Sequence, residues 1–345
     1  MMSDGTPASY PNQSIPYINY QLPPYSTAAL IIWSLLTAIV SLSGNSIILV
    51  GTIKHNAIKL DKLSLVLIKN LAISDILNTL LVVIPGMVTL HARGALFQDN
   101  LLVCTLSSYL QFVVPIFNSL VVCALTVNKL MILLDPLKTL SGSDMTGYFL
   151  VLGAWICGLV PGIEYLIIRE REIVFDTRIC RCISKWTKSS KQNLWMILDN
   201  ITSILFVLIP FIVIFVVTIG ILSFLKKNST LQKQKIALVL SVSILHLISF
   251  VPYLLYTVLM NVMKPSAEVK YRNSTVAQLY AGASYVNYLN TMCNPILYYF
   301  TSASFGAYIR RCTKNWMGRI GRVGDGEMQN TGTTSVGERY SINRA

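Results

Sequence analysis

Seven stretches of this chain are long, apolar and nearly free of charge, and that recurrence restricts the fold more than any other feature. Ala28–Ile53, Thr105–Asn128, Met145–Ile163, Asn200–Leu225, Ile236–Met263 and Ser274–Ala307 contain no Asp, Glu, Lys or Arg, and Asn70–Leu90 contains only Asp75. Roughly 20 apolar residues cross the ~30 Å hydrocarbon layer of a bilayer. Inside that layer the backbone must bond to itself, which selects helices. The sequence therefore predicts an all-α membrane protein, a seven-transmembrane helix bundle. Charged residues make up 12% of the chain, against about 25% in soluble domains.

Short loops rich in Lys and Arg face the cytoplasm. Lys54, Lys59 and Lys62 follow the first stretch, Lys226, Lys227, Lys233 and Lys235 follow the fifth, and Arg310, Arg311 and Lys314 follow the seventh. Residues 1–27 hold no Lys or Arg. The chain is thus expected to be a multi-pass plasma-membrane protein with its N-terminus outside and its C-terminus in the cytoplasm. The net charge of +13 belongs to that rim, so the partner it implies is the lipid bilayer and not nucleic acid. Residues 1–27 are polar and Pro-rich and read as a disordered extracellular arm. No signal peptide is read there, and the first stretch is too long for one, so it is expected to stay as an anchor. The bundle occupies 28–301. In 302–317, Phe305, Tyr308, Ile309, Cys312 and Trp316 share one helical face opposite the basic residues, the pattern of a short amphipathic eighth helix in the interface. Cys312 there is a candidate for palmitoylation or a bare thiol. Residues 318–345 are rich in Gly, Thr and Ser and read as a disordered cytoplasmic tail.

The loop after the fourth stretch is basic, from Arg169 to Lys191. Long loops translocate regardless of charge. Such a loop favours acidic ligands, and a solvated charge cluster explains the same residues. Cys104 opens the third stretch on the outer side, and an oxidising exterior permits one bridge from it to Cys180 or Cys182; Cys180 is the expected partner. Asn12 and Asn273 stand in glycosylation sequons on the outer side.

Polar groups inside the stretches are informative because each must find a partner there. Asn45 lies in the first stretch, Asp75 in the second, Asn118 in the third, and Asn290 and Asn294 in the seventh. Asn287, Thr291, Asn294 and Tyr298 share one helical face. Gathering Asn45, Asp75, Asn118, Asn290 and Asn294 makes one buried cluster. A carboxylate among amides suits a small cation or water; a packing cluster with no ion suits the same residues. Pro210, Pro252 and Pro295 each remove a backbone hydrogen bond and permit a kink.

These features in this order resemble the rhodopsin-like (class A) G-protein-coupled receptors, in the manner of a divergent orphan-type member. The resemblance rests on Gly44–Asn45, on "LAISD" at Leu71–Asp75, on Cys104, Trp155 and Pro210, and on "NPILY" at Asn294–Tyr298 with Phe305 beyond. It covers Ala28 to about Trp316. It implies a ligand site in the outer half of the bundle, a heterotrimeric G protein and arrestin as cytoplasmic partners, and no enzyme activity. It also implies an allosteric sodium ion near Asp75. The seventh stretch lacks a lysine, so no retinal cofactor is expected. Gln111 replaces the aspartate that amine receptors carry, which argues against biogenic amines. The outer halves offer Gln111, Glu164, Asp199, Tyr253, Tyr256, Gln278, Tyr285 and Tyr288, a rim suited to a peptide or polar small molecule.

Departures from the family pattern fall on its switch residues. The "DRY" triplet is Asn128-Lys129-Leu130, so a lysine stands in the arginine position without an acidic neighbour. Gln232 supplies no acid at the start of the sixth span, Phe250 replaces a tryptophan, His246 and Ser119 replace apolar residues, and Thr218 replaces a tyrosine. Lys129 is expected to snorkel toward water, to be weakly restrained, and to couple weakly. His246 reads as a pH-titrating switch or as a neutral core histidine. Tyr298 completes the switch set. The function expected is a cell-surface receptor passing an extracellular ligand's signal to a heterotrimeric G protein. A ligand-scavenging decoy of the same fold is the alternative; a transporter fits worse, because no internal repeat is evident.

Overall fold

The computed structural model describes residues 24–54, 58, 60–91, 101–134, 144–167, 171–176, 181–186, 201, 204–227, 230–263 and 274–315. Helix α1 is Pro24–Lys54 and α2 is Lys62–His91, with a π-helical turn at Thr79–Val83. Helix α3 is Leu101–Leu134 and α4 is Asp144–Ile167. Helix α5 opens with a π-helical turn at Ile204–Leu208 and continues as Ile209–Lys227. Helix α6 is Thr230–Met263. Helix α7 comes in two pieces, Ser274–Val286 and Tyr288–Thr301, and α8 spans 303–315. Five of them (α1, α2, α3, α5 and α6) are long and apolar enough to cross a bilayer, and α4 adds a shorter apolar segment, Met145–Leu159.

Three differences from the sequence reading stand out. Helix α1 starts four residues before position 28, at Pro24, where the proline ring's fixed φ suits a first turn and no backbone N–H is needed. The basic outer loop holds an antiparallel hairpin, β1 Arg171–Asp176 and β2 Arg181–Trp186, with Arg171 opposite Trp186 and Asp176 opposite Arg181. The described fold is therefore helical with one small hairpin. A further proline, Pro115, sits inside α3.

The bundle is inverted relative to a soluble protein. Large apolar side chains point outward, among them Ile32, Ile39, Phe149, Phe215 and Val216, because lipid tails solvate them as well as a protein core would. One apolar cluster fills the half of the bundle nearest the lysine-rich ends. It joins Ile48 of α1, Leu67 and Leu71 of α2, Phe117 and Leu125 of α3, Ile214 of α5, Val239 of α6, Tyr298 of α7 and Phe305 of α8. Trp155 of α4 stacks on Phe117, ring centroids 4.0 Å apart. Close approach of α1 to α7 depends on Gly44: a Cβ there would collide with the Pro295 ring.

That contact generates a test. Gly44→Val should cost about 1–3 kcal/mol, the range for overpacking, and lower the thermal midpoint of purified protein. Gly153→Ala, which meets nothing within 4 Å, should leave the midpoint where it was. Equal midpoints for the two variants would remove the α1–α7 contact from the list of what holds the bundle.

Candidate functional site

Asp75 is fully buried near the end of the first part of α2, Lys62–Asn78. A carboxylate in that position is tolerable only with donors around it, and two helices supply three of them. Asn118 Nδ2 of α3 donates to Oδ1 at 3.4 Å, Thr291 Oγ1 of α7 to the same oxygen at 3.1 Å, and Asn294 Nδ2 to Oδ2 at 2.9 Å. Ser74 Oγ donates to Asn118 Oδ1 at 2.6 Å, which fixes the amide with its NH2 toward Asp75. Thr79, at the π-helical turn, bonds the Asp75 carbonyl at 2.7 Å and meets Ser41 of α1 at 2.8 Å.

Two of the four residues expected around the acid stand one step away. Asn45 bonds Ser41 Oγ and the Thr291 carbonyl, each at 3.2 Å, and so ties α1 to α7 without touching the carboxylate. Asn290 is buried with its Oδ1 unpartnered among the described residues. Thr291 takes the place expected of Asn290, because the helical face that carries Asn294 toward α2 also carries the residue three before it. Asn45 Oδ1, Asn294 Oδ1 and Tyr298 Oη are likewise buried without a hydrogen-bond partner among the described residues. A carboxylate, a threonine hydroxyl and spare amide oxygens form the hard, oxygen-only donor set that an alkali cation takes. The residues present therefore fit a sodium ion, which Asp75, Thr291 and Asn294 would hold. Among the described residues no group of three or more His, Cys, Asp or Glu gathers for a transition metal.

A second polar seam joins α3 to α6. Ser119 Oγ lies 3.1 Å from His246 Nε2, and Thr126 Oγ1 lies 2.7 Å from Ser243 Oγ. The sequence reading missed Thr126 and Ser243, although Thr126 stands seven residues after Ser119 and so on its face. His246 is 2% exposed and lies parallel to Phe250 at 5.8 Å. Phe250 in turn meets Tyr253 at 6.0 Å and Phe211 of α5 at 6.2 Å.

At the far end of α3 the structure corrects two expectations about Lys129. It does not snorkel: the residue is 7% exposed. It is not without an acid: its Nζ lies 3.6 Å from Asp61 Oδ1. Asp61 is the N-cap of α2, its Oδ2 accepting from the Ser64 N–H at 3.0 Å. Asn128 Nδ2 donates to the same Oδ2 at 2.9 Å and to Ser64 Oγ at 3.2 Å. Burial, the largest influence, pushes the Asp61 carboxyl up. The Ser64 hydrogen bonds, the Lys129 charge and the Asn128 amide together outweigh it, and the net direction is below the ordinary 3.8.

The remaining expected residues divide. Gln111 is half-buried and donates to Ser107 Oγ at 3.3 Å; Tyr253 and Tyr256 are half-buried and Gln278 is exposed. Tyr285 and Tyr288 are not on an open rim. They are 4% and 6% exposed and pack edge to face, 5.4 Å apart, against Leu30, Ile31 and Trp33 of α1. The Trp33 indole donates to the Tyr285 carbonyl at 3.1 Å. Aromatic bulk at an interhelical seam lowers free energy by packing, which pulled both rings inward. Cys104 is buried and disulfide-bonded; the choice between Cys180 and Cys182 falls outside the described side chains. Cys123, Cys157, Cys293 and Cys312 are free, Cys312 on the exposed side of α8. Thr218 is buried with its hydroxyl unpartnered among the described residues. Asn12, Glu164, Asp199, Gln232, Asn273 and Trp316 lie outside the described side chains.

Residues 44–298, nearly three-quarters of the chain, match the family described as the 7 transmembrane receptor (rhodopsin family). The chain belongs to that family. Among the curated relatives of this rhodopsin-family chain, the pyroglutamylated RF-amide peptide receptor of Rattus norvegicus is 23% identical, over 83% of this chain and 70% of the relative. Cysteinyl leukotriene receptor 1 of Homo sapiens is 25% identical, over 68% of this chain and 71% of the relative. The relatives are receptors and not enzymes, and the chain is accordingly a receptor-class membrane protein.

The Asp61 site of this rhodopsin-family chain has a predictable pH profile. A carboxyl whose folded value is depressed contributes stability that is fully present above its unfolded value, about 3.9, and is lost as pH falls through the lower folded value. The difference in thermal midpoint between the parent and Asp61→Asn should stay constant from pH 8 to about pH 5 and shrink only below about pH 4. A difference that vanished between pH 7 and pH 5 would show that the carboxyl is not held down.

Proposed function

We propose that the chain is a cell-surface G-protein-coupled receptor for an extracellular peptide or polar small molecule, with seven spans, its N-terminus outside, α8 lying on the cytoplasmic leaflet, and a heterotrimeric G protein and arrestin as partners. The observation that carries this reading is an unbroken line of contacts from the half of the bundle that would face outward to α3. Tyr253 touches Phe250, Phe250 stacks on His246, and His246 bonds Ser119. A ligand that displaces Tyr253 therefore displaces the α3–α6 seam. Half-buried Gln111, Tyr253 and Tyr256 give a polar and aromatic lining, which supports ligands with both amide and apolar groups. One relative is named for an RF-amide peptide and another for a leukotriene, which makes both classes the first probes. The decoy reading draws support from Lys129, because an ammonium lacks the planar fork of a guanidinium and holds its water more tightly.

The deciding experiment exposes cells carrying the receptor to RF-amide peptides, leukotrienes and a wider set of polar ligands, with sensors for each G-protein class and for arrestin. A ligand-dependent G-protein signal that His246→Ala reduces about tenfold without loss of surface expression supports the signalling reading. Arrestin recruitment or uptake with no G-protein signal supports the decoy.

The sodium ion is tested without any ligand. The purified receptor should melt at a higher temperature in sodium chloride than in choline chloride, by the mass action of an ion that binds only the folded form. Asp75→Asn should erase the difference. Identical midpoints in the two salts for the parent would leave the Asp75 cluster as packing alone.

A further inference from the structure

Lys129 is nearly buried, and burying a cation without an anion is costly. The neighbouring position that holds an acid elsewhere in the family is here Asn128. The charge is met from a different helix. Asp61 is the only acid between Asp4 and Asp75, and among the described residues its pair with Lys129 is the only ion pair. We infer that Asp61 is the transposed counter-ion of the α3 switch, a positioning residue on α2 that holds Lys129 against the first cytoplasmic turn until coupling releases it. The inference rests on the receptor reading above and adds to it a residue and a helix on which resting-state restraint depends.

The geometry separates two tasks within one side chain. Oδ2 is occupied by the Ser64 N–H and the Asn128 amide. Oδ1 accepts no hydrogen bond among the described residues, and Lys129 at 3.6 Å is its charged neighbour. One oxygen therefore caps α2 and the other restrains Lys129. The 3.6 Å separation is a charge contact longer than a good hydrogen bond, so a partner offering a better-placed carbonyl or carboxylate competes with it. The α3–α6 seam, in contrast, is held by neutral groups, Ser119–His246 and Thr126–Ser243. Movement of α6 and release of Lys129 are thereby governed by different helices.

Crossed substitutions separate the charge from the cap. Asp61→Asn removes the charge and keeps a good N-cap; Asp61→Glu keeps the charge on a poorer one. The full-length receptor in lipid nanodiscs is labelled with a small amine-reactive ester, and modification of Lys129 is followed by mass spectrometry. The same preparations are mixed with purified heterotrimers of each G-protein class, and ligand-free nucleotide exchange is measured. Labelling of Lys129 should rise about three- to fivefold in Asp61→Asn, stay near the parent in Asp61→Glu, and be unchanged in Asp135→Asn, which removes the acid six residues after Lys129 in the sequence. Ligand-free exchange should rise with Asp61→Asn and fall, in Asp61→Asn with Lys129→Gln, to the value of Lys129→Gln alone. Lys129 labelling that follows the cap, rising in Asp61→Glu and not in Asp61→Asn, overturns the inference, as does a rise in Asp135→Asn instead. Exchange that rises equally in the Lys129→Gln background overturns the switch role. Increased labelling in Asp61→Asn with no exchange by any variant keeps the counter-ion and removes the signalling reading.

Discussion

A single carboxylate in hydrocarbon sets the terms for the inner half of this bundle. Asp75 has no water to satisfy it, so the helices around it must, and every donor it receives is also a clamp between helices. Asn118 fixes α3, and Thr291 and Asn294 fix α7, while Thr79 extends the network to α1 through Ser41. Removing the acid would leave several buried amides and hydroxyls unpaired at once, and such losses exceed the worth of any one bond. Apolar packing around Phe117, Leu71 and Tyr298 then fills in around a frame that polar groups have aligned. Between helices in lipid there is little hydrophobic driving force, so packing and hydrogen bonds carry this work.

Helix α3 is where the separate networks meet. In about three turns it presents Asn118 to α2, Ser119 and Thr126 to α6, and Asn128 and Lys129 back to α2. Neutral hydrogen bonds on one flank and charges on the other mean that the flanks respond to different conditions. Salt and partner charge act on the α2 flank, and rearrangement of the rings of Phe250 and His246 acts on the α6 flank.

The helical bundle could be read from the chain because hydrocarbon leaves the backbone one open-ended solution, and Asp75 because an acid alone in an apolar run has to be partnered. Partner identities were less accessible. Periodicity placed Thr291 and Asn294 on one face, but which amide touches the acid depends on how far α7 rotates, and the break at Asn287 changes that rotation. The pairing of Lys129 with Asp61 had no local sign, since a helix cap and an ion pair were served by one residue on another helix. The only hint was a lone acid opening α2 in a lysine-rich segment. Tyr285 and Tyr288 pack against α1, and a tyrosine near a helix end looks alike in the sequence whether it lines a cavity or seals a seam. The hairpin after α4 was hidden under a run of charges, which carry no period of their own.

The break in α7 has a mechanical consequence. Its two helical pieces meet at Asn287, and the carbonyl of Tyr285, two residues earlier, is held by the indole of Trp33. Bending at such a joint costs little, because a backbone oxygen beside it already has a partner outside the helix and is not offered to lipid. The break lies immediately outside the hydrogen-bonded part of the network at Thr291 and Asn294. Strain applied to the far piece of α7 reaches Asp75 through the near piece, which carries Thr291 and Asn294.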